Sequence, residues 1–293
     1  MRYADLFDAP THLHDIHRNL IGESLTLLET SMAVDDLVTQ GQLIRTTDDL
    51  VCLAGRTELL EHYDKHSRAA ENWWSTAHSW GDRLGQLPLV RMVAVTGRGT
   101  LTPASPTCPI DFFIVTRPRR LWLTRAMIGH VIGDAERRGI TLRISMMTTT
   151  RSLEMQTQNL FVAHALTNMA PIVGRDVFHG LRACNQWMQD FLPNSATTAN
   201  QEHLTDFTPS GTQKWLEWLL LLPPFRPLEI RTRRRAIASL MVERNLDQAN
   251  EVAFSPDCCT GDFADVKEDI KARWLQLIAA HTCVSNERQN AAI

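Results

Sequence analysis

The chain has 293 residues, 44% apolar and 22% charged, with a formal net charge of -3, which excludes a disordered protein and one whose total charge selects its partner. No apolar run approaches the roughly 20 residues needed to span a bilayer. The N-terminus also lacks the charged-then-apolar layout of a secretory leader, so a cytoplasmic protein with no membrane association is expected. Six cysteines (Cys52, Cys108, Cys184, Cys258, Cys259 and Cys283) follow no repeating spacing and read as free thiols rather than a zinc site.

The distribution of charge is more informative than its sum. Residues 1–55 carry three Arg against nine Asp and Glu, whereas residues 88–195 carry twelve Arg, no Lys and six acids. The middle of the chain is therefore the part suited to an anionic ligand.

Residues 2–55 read as three short helices and a hairpin. The first helix covers residues 3–7 and Pro10 ends it. The second starts at Thr11, with Leu13, Ile16, Leu20 and Ile21 at helical spacing. The third is capped by Ser24 and runs to Gln40, where Gly41 stops it. Residues 43–45 and 50–53, joined through Thr47, Asp48 and Asp49, make two strands of a small wing. This layout is winged-helix-like. The helix that would enter a DNA groove carries Glu29, Asp35 and Asp36 and no Lys or Arg. Affinity for a duplex comes largely from cations on phosphates, so DNA is disfavoured and a packing or protein-contact module is expected.

Residues 56–87 read as one connecting helix. Its Trp73, Trp74 and Trp80 are expected to pack it against its neighbours, a base-stacking platform being the sharper alternative. Residues 88–195 carry the α/β pattern, with strands over 90–96 and 110–116 joined by a loop of Gly, Thr, Pro, Ser and Cys. A helix over 121–138, ended by Gly139, leads to a third strand over 141–148. Helices over 158–170 and 175–191 follow, separated by Pro171 and Gly174. Residues 196–210 form a polar linker, and residues 211–293 are read as helical. In this last region Pro223 and Pro224 cut an apolar helix over 215–222, and the basic run 231–235 opens the next one. A turn over 256–261 and a helix over 263–280 complete the reading. The basic run reads as a solvated face, with phosphate or RNA contact as the alternative. The tryptophan-bearing connector and the apolar helix are candidate faces for a protein partner or a second copy.

Across residues 1–195, several segments in order resemble the nucleotidyltransferase superfamily, whose fold is DNA polymerase beta-like. They are Tyr3-Ala-Asp-Leu-Phe-Asp, Val90-Arg-Met-Val-Ala-Val-Thr-Gly97, Ile110-Asp-Phe-Phe-Ile-Val-Thr116, Arg120-Leu-Trp-Leu-Thr-Arg125, Asn159-Leu-Phe-Val-Ala-His164 and Asn185 to Asn194. The chain is similar to a bacterial group that joins an N-terminal winged-helix-like segment to a transferase domain and a helical tail. The resemblance implies an α+β fold, a nucleotidyltransferase-like mixed sheet with flanking helices.

That family uses Gly-Ser, then Asp-x-Asp on the next strand, and often a third carboxylate from a later one. Paired carboxylates hold two divalent ions on the triphosphate, and the small turn holds phosphates on backbone N–H groups. Here Gly97 stands at the motif's Gly, Arg98 at its Ser, Pro109 at its first Asp and Asp111 at its second. The later strand, around Ser145, Met146 and Met147, has no carboxylate. The resemblance thus implies Asp111 as metal ligand and catalytic carboxylate. It implies a substrate surface of Thr96, Gly97, Arg98, Arg117 and Ser145, and Mg2+ as the cofactor, although one carboxylate is a poor Mg2+ site. Asp134, Glu136, Glu154 and Asp176 are candidate replacement carboxylates, with Glu154 the foremost. Arg98 is expected either to pair Asp111 or to bind an anion directly. Cys108 is a candidate nucleophile, and His164 and His179 are candidate acids or bases; inert packing is the competing reading for each.

Two functions remain open on these grounds. One is a degenerate, repurposed or catalytically silent nucleotidyltransferase-fold protein that binds a nucleotide or another anionic small molecule. The other is an active metal-dependent transferase moving a nucleoside monophosphate from a triphosphate to a small molecule or protein.

Overall fold

The computed structural model describes residues 10–100, 108–196, 210–244 and 254–260. It begins with β1 (Thr11–His12), α1 (Leu13–Arg18), α2 (Leu27–Thr39), β2 (Leu43–Arg45) and β3 (Leu50–Leu53). β3 pairs antiparallel with both other strands, giving a small sheet of order β1-β3-β2. Leu13, Ile16, Val34, Leu43 and Val51 close a core of their own beneath it. Helix α2 is capped by Thr26 rather than Ser24. Thr26 accepts from the Glu29 N–H while the Glu29 carboxylate accepts from the Thr26 N–H, a reciprocal box that Ser24 cannot make. The helix expected over residues 3–7 lies outside the described residues.

α3 (Glu58–Gly85) is one long helix, and Trp73, Ala77, Trp80 and Leu84 repeat along a single buried face. That face lies on a five-stranded sheet built from β4 (Val90–Thr96), β5 (Ile110–Thr116), β6 (Leu142–Thr149), β7 (Ala170–Val173) and β8 (Cys258–Thr260). The strand order is β7-β4-β5-β6-β8. β5 and β6 are parallel and the other pairings antiparallel, so the sheet is mixed. A parallel pair needs a long crossover, which α4 (Leu121–Arg137) supplies.

Alternation along the strands sorts the core into two layers. Val93, Val95, Phe112, Ile114 and Met147 face α3 and α4. Met92, Ala94, Phe113, Val115 and Met146 face α5 (Leu160–Thr167), α6 (Arg175–Cys184) and α7 (Met188–Phe191). Both faces are covered, which is why β4 and β5 read as nearly continuous apolar runs.

β1 takes Thr11 and His12, where a helix was expected to start, and two strands of the larger sheet were likewise not legible in the sequence. The helices expected over 158–170 and 175–191 flank an edge strand, β7, which pairs with β4 and contains Pro171. An edge position tolerates proline because only one side of the strand needs its ladder of N–H groups. The turn expected over 256–261 contains β8, held on the opposite edge by β6. Just before β8, the Asp257 backbone carbonyl accepts from the Thr149 N–H, and its carboxylate accepts from the Thr149 hydroxyl. In the C-terminal region α8 (Gly211–Leu221) is capped by the Ser210 hydroxyl on the Gln213 N–H. α9 (Arg226–Arg244) begins five residues before the basic run that was expected to open it. The helix expected over 263–280 lies outside the described residues.

Candidate functional site

One end of the sheet collects the residues on which the sequence focused. β4 finishes there while β5 and β6 begin, and the register sets Thr96 opposite Asp111 and Asp111 opposite Arg143. Opposed residues on neighbouring strands project to the same side, so these three share the face covered by α5 and α6. Asp111 is buried, and the half-exposed Arg143 guanidinium grips its carboxylate with two bonds, Nε to Oδ1 at 2.7 Å and Nη2 to Oδ2 at 2.9 Å. This forked geometry is the strongest arrangement open to an arginine and a carboxylate.

The turn after β4 is shaped around this pair. Gly97 adopts a φ of 79°, and a Cβ there would lie 2.9 Å from Asp111 Oδ2. Thr96 is buried, and its hydroxyl has no hydrogen-bond partner among the described residues. The short helical turn Arg98–Thr100 follows, with the Thr100 hydroxyl donating to the Gly97 carbonyl at 2.7 Å. The Trp73 ring lies against Gly99, where a Cβ would meet it at 2.3 Å, and Trp73 Nε1 donates to the Cys108 carbonyl at 2.9 Å. Trp73 therefore fastens both ends of the loop between β4 and β5. This is the packing role expected of it rather than a stacking platform.

The expected site residues divide by position. Thr96, Gly97 and Asp111 lie together at this end of the sheet. Arg98 opens the turn beside them, and its side chain lies outside the described part of the structure. Asp111 is gripped by Arg143, a residue not singled out from sequence. Ser145 is the extra residue of a bulge in β6, since Phe112 pairs with Ile144 and Phe113 with Met146. Arg117 and Glu154 belong to the opposite end of the sheet. Thr116 pairs with Thr149 there, five residues along β5 from Asp111, or about 16 Å at about 3.3 Å per residue. Arg117 lies 3.8 Å from Glu217 of α8, and Glu154 is exposed beyond the end of β6. The sheet thus gives Arg117 and Glu154 no shared surface with Asp111.

Of the other candidates, Asp134 is engaged by Arg83, Arg137 and Arg138. The hydrogen bond from Arg83 is the leading cause that holds its carboxyl below the usual range. Glu136, Asp176 and His179 are exposed. His164 is buried on α5 with Nδ1 on Asn19 Oδ1 at 2.9 Å, and burial pulls it down to about 3, so it stays neutral at physiological pH. Cys108 is partly buried beside Trp73.

Mg2+, which the family resemblance implies, does not fit this donor set. Among the described residues a single carboxylate is offered at this end of the sheet, and both of its oxygens are taken by a guanidinium. A guanidinium fixed on the carboxylate repels a divalent ion approaching the same oxygens. Among the described residues, no group of three or more His, Cys, Asp or Glu is gathered in a way that could hold a metal.

Arg143 is not legible from the sequence alone. Two parallel strands that both begin at the same end of a sheet, one with Asp and one with Arg near the start, invite pairing, but the strand order must be known first. No family model, curated protein or solved structure matches the chain.

Proposed function

We propose that the chain is a nucleotidyltransferase-like protein in which Arg143 has taken the place of the metal on Asp111. In this reading it binds a nucleotide or related anionic small molecule at the sheet end formed by Thr96, Gly97, Asp111 and Arg143, without two-metal nucleotidyl transfer. The observation that carries this reading is the bidentate Asp111–Arg143 pair. A fixed guanidinium supplies permanent positive charge where the transferase chemistry would require a metal, so phosphate oxygens are attracted without a divalent ion. The Gly97 turn beside it has the backbone conformation suited to close approach of an anion.

The N-terminal segment is read as a winged-helix-like contact module rather than a DNA reader. Arg45, the arginine of its wing, is spent on Asp35 and Asp49, while α2 presents Leu28 and Met32 to solvent beside its acidic residues. A protein surface suits that combination better than a duplex does.

Titration calorimetry with nucleoside triphosphates, run with and without Mg2+ or Mn2+, tests the central claim. The expected result is binding whose affinity is unchanged by metal and weakened by Arg143→Met. Tight binding that requires metal and is abolished by Asp111→Ala would instead establish the second reading, an active metal-dependent transferase.

A further inference from the structure

Away from the sheet end, a polar cluster joins α1 to the layer of α5, α6 and α7. The amides of Asn19 and Asn168 bond reciprocally, Nδ2 of each to Oδ1 of the other, at 3.0 Å and 2.9 Å. Arg18 reaches from the end of α1 to Asn168 Oδ1 at 3.1 Å and to Asp15 Oδ1 at 2.8 Å. On the other side the helical turn Pro193–Ala196 comes up against α1, with Asn194 Nδ2 donating to the backbone carbonyls of His17 at 3.1 Å and Leu25 at 3.0 Å. Arg182, on α6, donates to the backbone carbonyl of Ser195 in the same turn.

The charges in this cluster do not balance. Arg18 and Arg182 are near enough for the charge of one to act on the other, and arginine cannot shed its proton to relieve the cost of desolvation. Asp15 answers Arg18, although its own side chain is 37% exposed. Arg182 is half-buried and makes no ion pair among the described residues, its one bond going to a neutral carbonyl. Two further polar atoms are left over. Among the described residues, Arg18 Nε and the hydroxyl of Ser195 are buried without hydrogen-bond partners, and Ser195 is 0% exposed. Leaving such groups unmade inside a protein is costly, and natural structures rarely do so without a missing partner. Burial, and then the charge of Arg18, pull Arg182 below its ordinary range.

We propose that Arg18, Arg182 and Ser195 form a second binding site, distinct from the Asp111–Arg143 sheet end, for an oxyanion of the phosphate or sulfate type. The Nε edge of Arg18 and the Arg182 guanidinium supply the counter-charge, and the Ser195 hydroxyl donates to a third oxygen. Because the groups come from α1, α6 and the turn after α7, the bound anion also fastens the N-terminal segment to the sheet domain.

Thermal unfolding and calorimetry of the full chain test this with inorganic phosphate, using chloride at matched ionic strength as reference. The unmodified protein is expected to show a saturable rise in melting temperature with phosphate. Arg182→Met should weaken apparent affinity by about tenfold or more, the loss of a charge-assisted bond. Arg182→Lys and Ser195→Ala, which preserve most of the packing, should fold and show smaller, several-fold losses. The part of the phosphate increment that depends on Arg182 should persist in an Arg143→Met background, separating this site from the one at the sheet end. A parallel titration with a nucleoside monophosphate identifies the source: tighter binding that depends on Arg182 assigns a phosphate ester, and binding of inorganic phosphate alone assigns the free ion. The proposal is overturned if phosphate gives no saturable rise over chloride, or if the rise is undiminished in Arg182→Met, Arg182→Lys and Ser195→Ala.

Discussion

A carboxylate buried at the mouth of a sheet must be neutralised by a proton, a metal or a fixed cation. In this chain Arg143 does so, and the consequence can be measured. Arg143→Met removes the forked bond pair from the buried Asp111 and should destabilise the fold by about 1–3 kcal/mol in urea unfolding, nearer the lower figure because the arginine is half-exposed. Asp111→Asn with Arg143→Met should recover part of the loss, giving a coupling energy of at least about 0.5 kcal/mol. A coupling near zero would mean that solvent screens the pair and that Arg143 holds nothing in place. Gly97→Ala probes the same carboxylate from the turn. The new Cβ would press on Asp111 Oδ2 in a left-handed backbone that costs a non-glycine residue about 1–2 kcal/mol, so both stability and anion binding should fall. At this scale the sequence was legible where local chemistry decides the outcome, as at Gly97, Thr96 and Asp111. It was silent on Arg143, whose role exists only through the pairing of β5 with β6.

Elements with two buried faces announce themselves, and those with one edge to solvent do not. β4 and β5 were readable to the residue because each is a nearly continuous apolar run. β7 is short and contains proline, and β8 places two cysteines and a threonine between Pro256 and Gly261, so neither carries a strand's signature. Their structure comes from their neighbours. β7 illustrates how tightly that is done: it lies under α3, where Gly81 and Gly85 meet Ile172 and Val173, and it ends at Gly174, whose φ is 93°. A Cβ on Gly174 would come within 2.2 Å of the Arg91 carbonyl oxygen and 2.8 Å of the Met92 Cα, both backbone atoms that cannot rotate away. Gly174→Ala is therefore expected to cost on the order of 2–4 kcal/mol, strained backbone and overpacking together, and to lower the melting temperature markedly. Gly180→Ala, whose Cβ would meet Leu153 at an ordinary 3.6 Å, is the matched control and should be close to neutral or slightly stabilising. Equal effects from the two substitutions would mean that the tight junction between β7 and α6 does not constrain the edge of the sheet.

Two carboxylates reach from the C-terminal helices into the sheet domain. Glu217 of α8 accepts from the Leu89 N–H and, through both oxygens, from Arg91. Glu229 of α9 accepts from the N–H groups of Trp122 and Leu123 at the start of α4, serving as a helix cap supplied from another element. The two titrate in opposite senses. For Glu217, burial pushes upward, but the Arg91 and Leu89 hydrogen bonds and the nearby Arg91 and Arg117 charges outweigh it and leave the group below its ordinary value of about 4.3. The stability it contributes is fully present above the unfolded value and is lost as pH falls through the lower folded one. For Glu229, burial is the largest influence and outweighs its hydrogen bonds, raising it above the ordinary range. Its folded form prefers the proton, so stability increases as pH falls from neutral through the raised folded value, and the increase is complete below the unfolded value. Urea midpoints measured between pH 7 and pH 3 should separate the two. Glu217→Gln removes an acid-labile contribution and should flatten the fall in stability toward low pH, whereas Glu229→Gln removes a contribution that grows on acidification and should steepen it. Identical slopes in the two variants would show that the attachment of α8 and α9 does not depend on these charges. The two opposite responses would place the acid sensitivity of that attachment at α8, where Glu217 meets Leu89 and Arg91, while the cap that α9 places on α4 persists.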